Sequence, residues 1–214
     1  MASDEHLRER ARNHLLDGAE VKRQIARDGL DAILAAAHLV ADCLRAGGKL
    51  MLCGNGGSAA DCQHVAAEFV SRLTADFERP GLPAIALTTD TSFLTAYAND
   101  CGFDGVFERQ VRALGKPGDL LIAISTSGSS RNVIRAVEAA RGMGLGTLVL
   151  TGADGPLASM ADVALAVPSR NTQQIQEAHL AMEHAVVDLA ERLLYGLVVQ
   201  SGQKKGAEPR RTAS

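Results

Sequence analysis

Residues 49–58 read Lys49-Leu50-Met51-Leu52-Cys53-Gly54-Asn55-Gly56-Gly57-Ser58, a short apolar run that breaks off in a polar, glycine-rich turn. A helical pattern follows from Ala59 to about Leu73, so the order is strand, tight loop, helix. A continuously apolar strand suits a parallel sheet covered by helices on both faces. The same unit recurs downstream: Asp119–Ile124 runs into Ser125-Thr126-Ser127-Gly128-Ser129-Ser130, and a helix is expected from Asn132 to Met143. Ala84–Leu87, Gly146–Leu150 and Val163–Val167 are further strand candidates, and Ser92–Ala98 is a helix candidate. Upstream, Glu5–Ala46 has apolar residues at helical spacing, with a break expected at Asp28-Gly29 and a stop at Gly47-Gly48. A long final helix spans roughly Thr172 to Tyr195. The expected architecture is α/β: a three-layer αβα sandwich with a five-stranded parallel sheet and helices at both ends.

The chain has 214 residues and no evident linker, which points to one domain over 1–198 and a flexible basic tail over 199–214. With 46% hydrophobic and 22% charged residues it has the balance of a folded globular chain. The net charge is −3, and the last eleven residues alone carry +3, so the rest carries −6. A body that acidic argues against a nucleic-acid partner. Cys43, Cys53, Cys62 and Cys101 lack CxxC spacing and are expected as reduced thiols. No signal-peptide pattern and no run of 18 apolar residues is present, so no membrane association and a cytoplasmic location are expected. Only 3% of residues are aromatic, and small side chains bury little area apiece, so oligomerisation is a natural supplement to the core.

The two polar loops lie where parallel strands end and helices begin, which is where open α/β sheets bind ligands. In the loop Ser125–Ser130, hydroxyls and backbone N–H groups converge beside the positive end of a helix, an arrangement suited to phosphate. An ordinary N-cap would need one serine. The loop Gly54–Ser58 lacks the Walker Gly-Lys-Ser/Thr and the G-x-G-x-x-G spacing, which argues against a nucleotide or nicotinamide enzyme. On the helix after it, His64 and Glu68 are four apart and point the same way. On the final helix, Gln176 and His184 are eight apart, about 80° around the axis and roughly 12 Å along it. These residues could share a metal site, or they could be a surface pair and ordinary polar interface residues. His179 and Glu183 form a second i,i+4 pair on the same helix.

Taken together, Cys53–Ser58, Gln63–Glu68, Ala98-Asn99-Asp100, Ile124–Ser130 and Ile175–His179 resemble the sedoheptulose 7-phosphate (phosphoheptose) isomerases, single-domain members of the sugar isomerase (SIS) family. The resemblance runs from about residue 10 to 196. It implies a homotetramer with terminal helices in a central bundle and active sites between subunits. It implies zinc (Zn2+) as cofactor, with His64, Glu68, Gln176 and His184 as ligands. Ser125, Ser127 and Ser130, with Thr126 in the same loop, take the place of the phosphate contacts, and Asn55, Gly56, Ser58, Asp100 and Gln176 that of substrate-site positions. The chain departs from the family at Thr172-Gln173, where some relatives have an acidic residue, and at Gln174, where an Arg is frequent.

The activity implied is interconversion of D-sedoheptulose 7-phosphate and D-glycero-D-manno-heptose 7-phosphate through an enediolate, at the entry to bacterial heptose and lipopolysaccharide synthesis. Glu68 can act as the carboxylate base and His184 as an imidazole acid, although a nitrogen bound to metal cannot exchange a proton at the same time. Alternatives are an isomerase of another sugar phosphate, a sugar-phosphate-sensing module, and a tetrameric scaffold of the same fold that binds a replication-initiator protein. Relatives of the scaffold type lack the glutamate and histidine found here at 68 and 184.

Overall fold

The computed structural model describes residues 3–196; the expected tail over 199–214 and the last residues of the 1–198 domain lie outside the described residues. The N-terminal region forms α1 (Asp4–Asp28) and α2 (Leu30–Arg45), broken at Gly29 as the dipeptide suggested. There follow β1 (Leu50–Gly54), α3 (Gly57–Val70), β2 (Ala84–Ala86), α4 (Thr91–Cys101), α5 (Val106–Leu114) and β3 (Leu120–Ser125). The chain continues through α6 (Arg131–Gly142), β4 (Gly146–Thr151), β5 (Val163–Ala166) and α7 (Thr172–Tyr195). The five strands make one sheet in the order β2-β1-β3-β4-β5, and every pairing is parallel. Leu50 registers with both Ala84 and Leu120, so β1 is internal to the sheet.

Alternation along the strands divides the core in two. Leu50, Leu52, Leu120, Ile122, Leu148 and Leu150 point toward α2, α3 and α7. Met51, Cys53, Leu121, Ala123 and Val149 point toward α5 and α6, with α4 packed at the edge. The αβα sandwich expected from the sequence is therefore the architecture observed. Only Gly18, Val21 and Ile25 of α1 are buried, and Leu7, Leu15 and Leu16 on its first half stand in solvent.

Two elements differ from expectation. No helix is expected at 106–114, yet α5 forms there as nine residues between glycines, with Val106, Phe107, Gln110 and Val111 buried on one face. The signal was the i, i+1, i+4, i+5 spacing of those four residues, short and flanked by breakers. Helix α3 stops at Val70 and not at Leu73; Leu73 still packs on the core from the loop beyond, so the apolar pattern outlasts the helix.

The His179/Glu183 pair faces the interior. His179 is fully buried and donates its Nε2–H to the Thr151 carbonyl at 3.1 Å, while its Nδ1 has no partner. Desolvation pulls its pKa from 6.5 down to about 4. Glu183 lies one turn on, among Val65, Phe69, Ile122 and Val187, with neither oxygen hydrogen-bonded. Burial, aided by the charges of Asp61 and Glu68, pushes its pKa up to about 8. Both groups are neutral at pH 7, which is how two polar side chains are tolerated in an apolar layer.

Phe69 is almost fully buried between α3 and the sheet. Phe69→Ala is expected to cost about 3–5 kcal/mol in urea denaturation, through lost burial and the cavity left behind. A second prediction concerns pH. The unfolded chain binds more protons than the folded one between the two His179 pKa values, 6.5 and about 4, so this residue makes stability rise with pH across that window. Glu183 acts with the opposite sign between 4.5 and about 8, so the comparison is the difference between wild type and His179→Gln, whose amide also offers a donor to Thr151. The variant is expected to lose the His179 contribution to the slope; identical slopes from pH 4 to 6.5 would mean that the imidazole titrates normally in the fold.

Candidate active site

The strand order reverses between β1 and β3: from β1 the chain passes outward to β2, then returns to add β3, β4 and β5 on the other side. The crevice beyond the carboxyl ends of β1 and β3 is therefore at the switch point, the position at which open α/β sheets bind ligands. Both polar loops open there. They are tied together by Asn55 and Asn132, whose amides pair reciprocally: Asn55 Nδ2 donates to Asn132 Oδ1 at 2.9 Å, and Asn132 Nδ2 donates to Asn55 Oδ1 at 2.8 Å. Asn132 is buried and its Oδ1 also accepts from Val133 N. Its role was not apparent in the sequence, because an asparagine beside a helix N-cap reads as a capping residue.

In the serine loop, Ser125 Oγ lies 3.0 Å from Ser130 Oγ and 3.4 Å from Ser127 Oγ. Ser127 Oγ in turn accepts from the backbone N–H and the hydroxyl of Ser129. Three of the expected phosphate contacts thus converge at the first turn of α6, whose positive end adds to their attraction for an anion. Thr126 is half-buried and gives its carbonyl to Gly152 N at 3.2 Å. Gly128 holds the loop with φ +62°, and a Cβ there would come within 2.5 Å of the Asp154 carbonyl.

Around β1, Gly56 is the N-cap of α3 and Ser58 is buried on its first turn. Gly57 carries no side chain because Gln176 occupies that space: a Cβ on Gly57 would meet the Gln176 amide at 2.3 Å. Gln176 Nε2 donates to the Asp61 carboxylate at 3.3 Å. Asp61 is buried, and desolvation raises its pKa against the opposing influence of Gln176 and His64. Asp61, one turn before His64, was passed over in the sequence.

His64 and Glu68 on α3 meet His184 on α7. His64 Nε2 lies 3.0 Å from His184 Nε2 and 3.0 Å from Glu68 Oε1, and His184 Nε2 lies 3.3 Å from the same oxygen. Two imidazole nitrogens this close cannot both carry protons. Burial raises the Glu68 pKa, with the two imidazoles pulling the other way, and its second oxygen is buried without a partner. These three donor atoms are the group among the described residues that could hold a metal ion. Their separations approach the edge of about 3.3 Å expected of a tetrahedron with ligands 2.0–2.1 Å from its centre, and two histidines with one glutamate are a known catalytic donor set that leaves a position open. The residues present therefore fit a small divalent ion.

The structure does not bring all the expected site residues together. Gln176 is engaged by Asp61, two turns of α7 before His184, so it adjoins the triad through Asp61 and α3. Asp100 is exposed in the last turn of α4, where it accepts from Asn99 at 2.8 Å. It makes no hydrogen bond to the triad or to the serine loop among the described residues.

A family model described as SIS domain matches residues 15–152. The phosphoheptose isomerase of Roseiflexus sp. (strain RS-1) is 55% identical over 177 residues, which cover 82% of this chain and 89% of the relative. That of Chlorobaculum tepidum is 52% identical over 182 residues, covering 84% and 87%. Among solved structures, the phosphoheptose isomerase from Neisseria gonorrhoeae has a TM-score of 0.81 at 46% identity, covering 86% of this chain and 98% of its own. The one from Francisella tularensis has a TM-score of 0.82 at 37% identity, covering 86% and 97%. A chain that shares half its residues with such relatives over most of their length, and that folds as they do, belongs to the phosphoheptose isomerases of the SIS-domain family.

Proposed function

We propose that this chain interconverts sedoheptulose 7-phosphate and glycero-manno-heptose 7-phosphate in the cytoplasm, supplying heptose for lipopolysaccharide precursors, with zinc held by His64, Glu68 and His184. The observation that carries this reading is the meeting of three donor atoms from α3 and α7 at 3.0–3.3 Å. The serine loop at the switch point supports it, since a phosphate there would fix the far end of an extended sugar and turn binding energy into orientation of the reacting carbons.

Zinc at the triad would supply Lewis-acid stabilisation of negative charge on the sugar oxygens. The rest of the chemistry falls to side chains. Glu68 takes the proton from C1 of the ketose and returns it to C2, and the raised pKa that burial gives it makes the carboxylate a stronger base than an exposed one. His184 moves the hydroxyl proton between the neighbouring oxygens when its Nε2 is free of metal, and serves as ligand otherwise. Asn55 is held by Asn132 in position to meet the sugar hydroxyls, with Gly56, Ser58, Asp100 and Gln176 as further substrate positions. Ser125, Thr126, Ser127 and Ser130 bind the phosphate.

The working enzyme in this reading is a homotetramer with sites between subunits. Leu15 is 70% exposed and Leu16 55% exposed on α1, and Leu30 and Leu34 are exposed on α2, more apolar helix surface than a monomer leaves in water. Sedimentation equilibrium is expected to give about four times the chain mass of 22.4 kDa; a stable, fully active monomer would overturn this.

The catalytic test is Glu68→Gln, assayed with sedoheptulose 7-phosphate beside a measurement of bound zinc. The amide keeps the volume and one metal-facing oxygen but removes the base, so turnover is expected to fall by at least about 100-fold while folding and assembly persist. Near wild-type turnover at full zinc occupancy would exclude Glu68 as the base. A wild-type protein that forms no aldose from this ketose but does so from a shorter sugar phosphate would move the substrate assignment and leave the reaction class.

A further inference from the structure

The loop between α3 and β2 sends one arginine back into the protein. The Arg79 side chain is 1% exposed, and its partner on α7, Glu191, is 3% exposed. Nε and Nη2 both donate to Glu191 Oε1. Nη2 also donates to the carbonyl of Glu68 at 2.7 Å, and Nη1 donates to the carbonyls of Phe69 at 2.8 Å and Pro80 at 3.0 Å. All five guanidinium N–H groups are thus used. Glu68 and Phe69 lie in the last turn of α3, whose carbonyls have no partner within the helix, so the cation also sits at that helix's negative end.

The position of these contacts matters more than their number. Glu68 carries a donor atom of the triad, and Arg79 holds its backbone. Glu191 is seven residues after His184, on the same face of α7 two turns away. One rigid, planar group therefore bridges the backbone of the α3 donor and the α7 face that presents the other donor. A desolvated ion pair adds little net stability compared with apolar residues of the same size, and its best-attested use is to fix register.

We propose that Arg79 is a positioning residue for the metal triad. It sets the register of α3 against α7, so the affinity for a divalent ion depends on a side chain that touches neither ion nor substrate. This rests on the metal-site reading given above.

The test uses the full chain, with zinc binding measured by competition against a chromophoric chelator and inorganic phosphate binding measured separately. In Arg79→Met/Glu191→Leu an apolar pair replaces the ionic one, and the urea midpoint is expected to stay close to wild type. Zinc affinity is expected to fall by about 10-fold or more, as it does when outer contacts of metal ligands are removed, with phosphate affinity unchanged. Arg79→Lys keeps the charge but not the planar fork, and is expected to weaken zinc in the same direction even if the double variant does not fold. If wild type binds zinc and both Arg79 variants bind it equally well, Arg79 serves the fold only and the proposal is wrong. If wild type binds no zinc, the metal reading itself fails and takes the proposal with it.

Discussion

The packing of α7 across α3 is the contact on which the site depends. Helix α3 must begin where β1 ends, because a parallel strand buried on both faces can only continue into a crossover. Its position over the sheet is then fixed by Cys62, Val65 and Phe69, which all point into the core shared with α2 and α7. Helix α7 arrives after the last strand and lays Ile175, Ala178, Met182, Val186 and Ala190 on that same layer. Once both helices are buried along these stripes, His64 and Glu68 on one and His184 on the other have little freedom but to meet at their shared edge. The triad's donor atoms sit on helices, and the converging serine hydroxyls sit on a tight loop at a strand end. Each is held by the packed sheet behind it.

That geometry forces polar groups into the layer between α3 and α7, and the structure handles each one differently. His179 and Glu183 are neutralised by desolvation. Arg79 and Glu191 pair with each other, and all five guanidinium donors find acceptors. Asp61 is partly satisfied by Gln176. Both oxygens of Glu183 and one of Glu68 are buried without a partner, but at Glu68 the other oxygen faces two imidazoles. Among these groups the unfinished hydrogen bonding beside open donor atoms is at Glu68, which is the pattern expected of a group whose partner is a bound ion or a reacting proton.

The sequence carried most of the sheet, because its strands are short, continuously apolar runs closed by glycine or serine loops. It carried His64 and Glu68 as a pair through helical spacing. The encounter with His184 rested on the family resemblance and not on spacing: 120 residues separate His64 from His184, and spacing on α7 alone equally favoured His179 with Glu183. What separates those two pairs is which stripe of α7 faces the sheet, a property of packing and not of local period. Helix α5 was missed because nine residues between glycines give a weak periodic signal. Arg79 gave no signal at all, since a basic residue before a proline in a polar loop reads as solvated until tertiary structure buries it.

The departures at the start of α7 can be weighed by the same local accounting of donors and acceptors. Asn171 caps the helix by accepting from Gln173 N at 3.0 Å. Ser169 Oγ accepts from Asn171 N at 3.1 Å and donates to Gln174 Oε1 at 2.9 Å. Gln174 is thereby drawn back onto the turn that starts α7, and Gln173 stands exposed at its first turn. An arginine at 174 would have no carbonyl oxygen to accept from Ser169, so the cap would have to be rebuilt and the longer side chain would be free to reach elsewhere. Glutamine at 174 therefore changes the groups that this turn presents. It leaves untouched the part of α7 that carries Gln176 and His184, about half a turn and nearly three turns further along a helix whose buried face is unchanged.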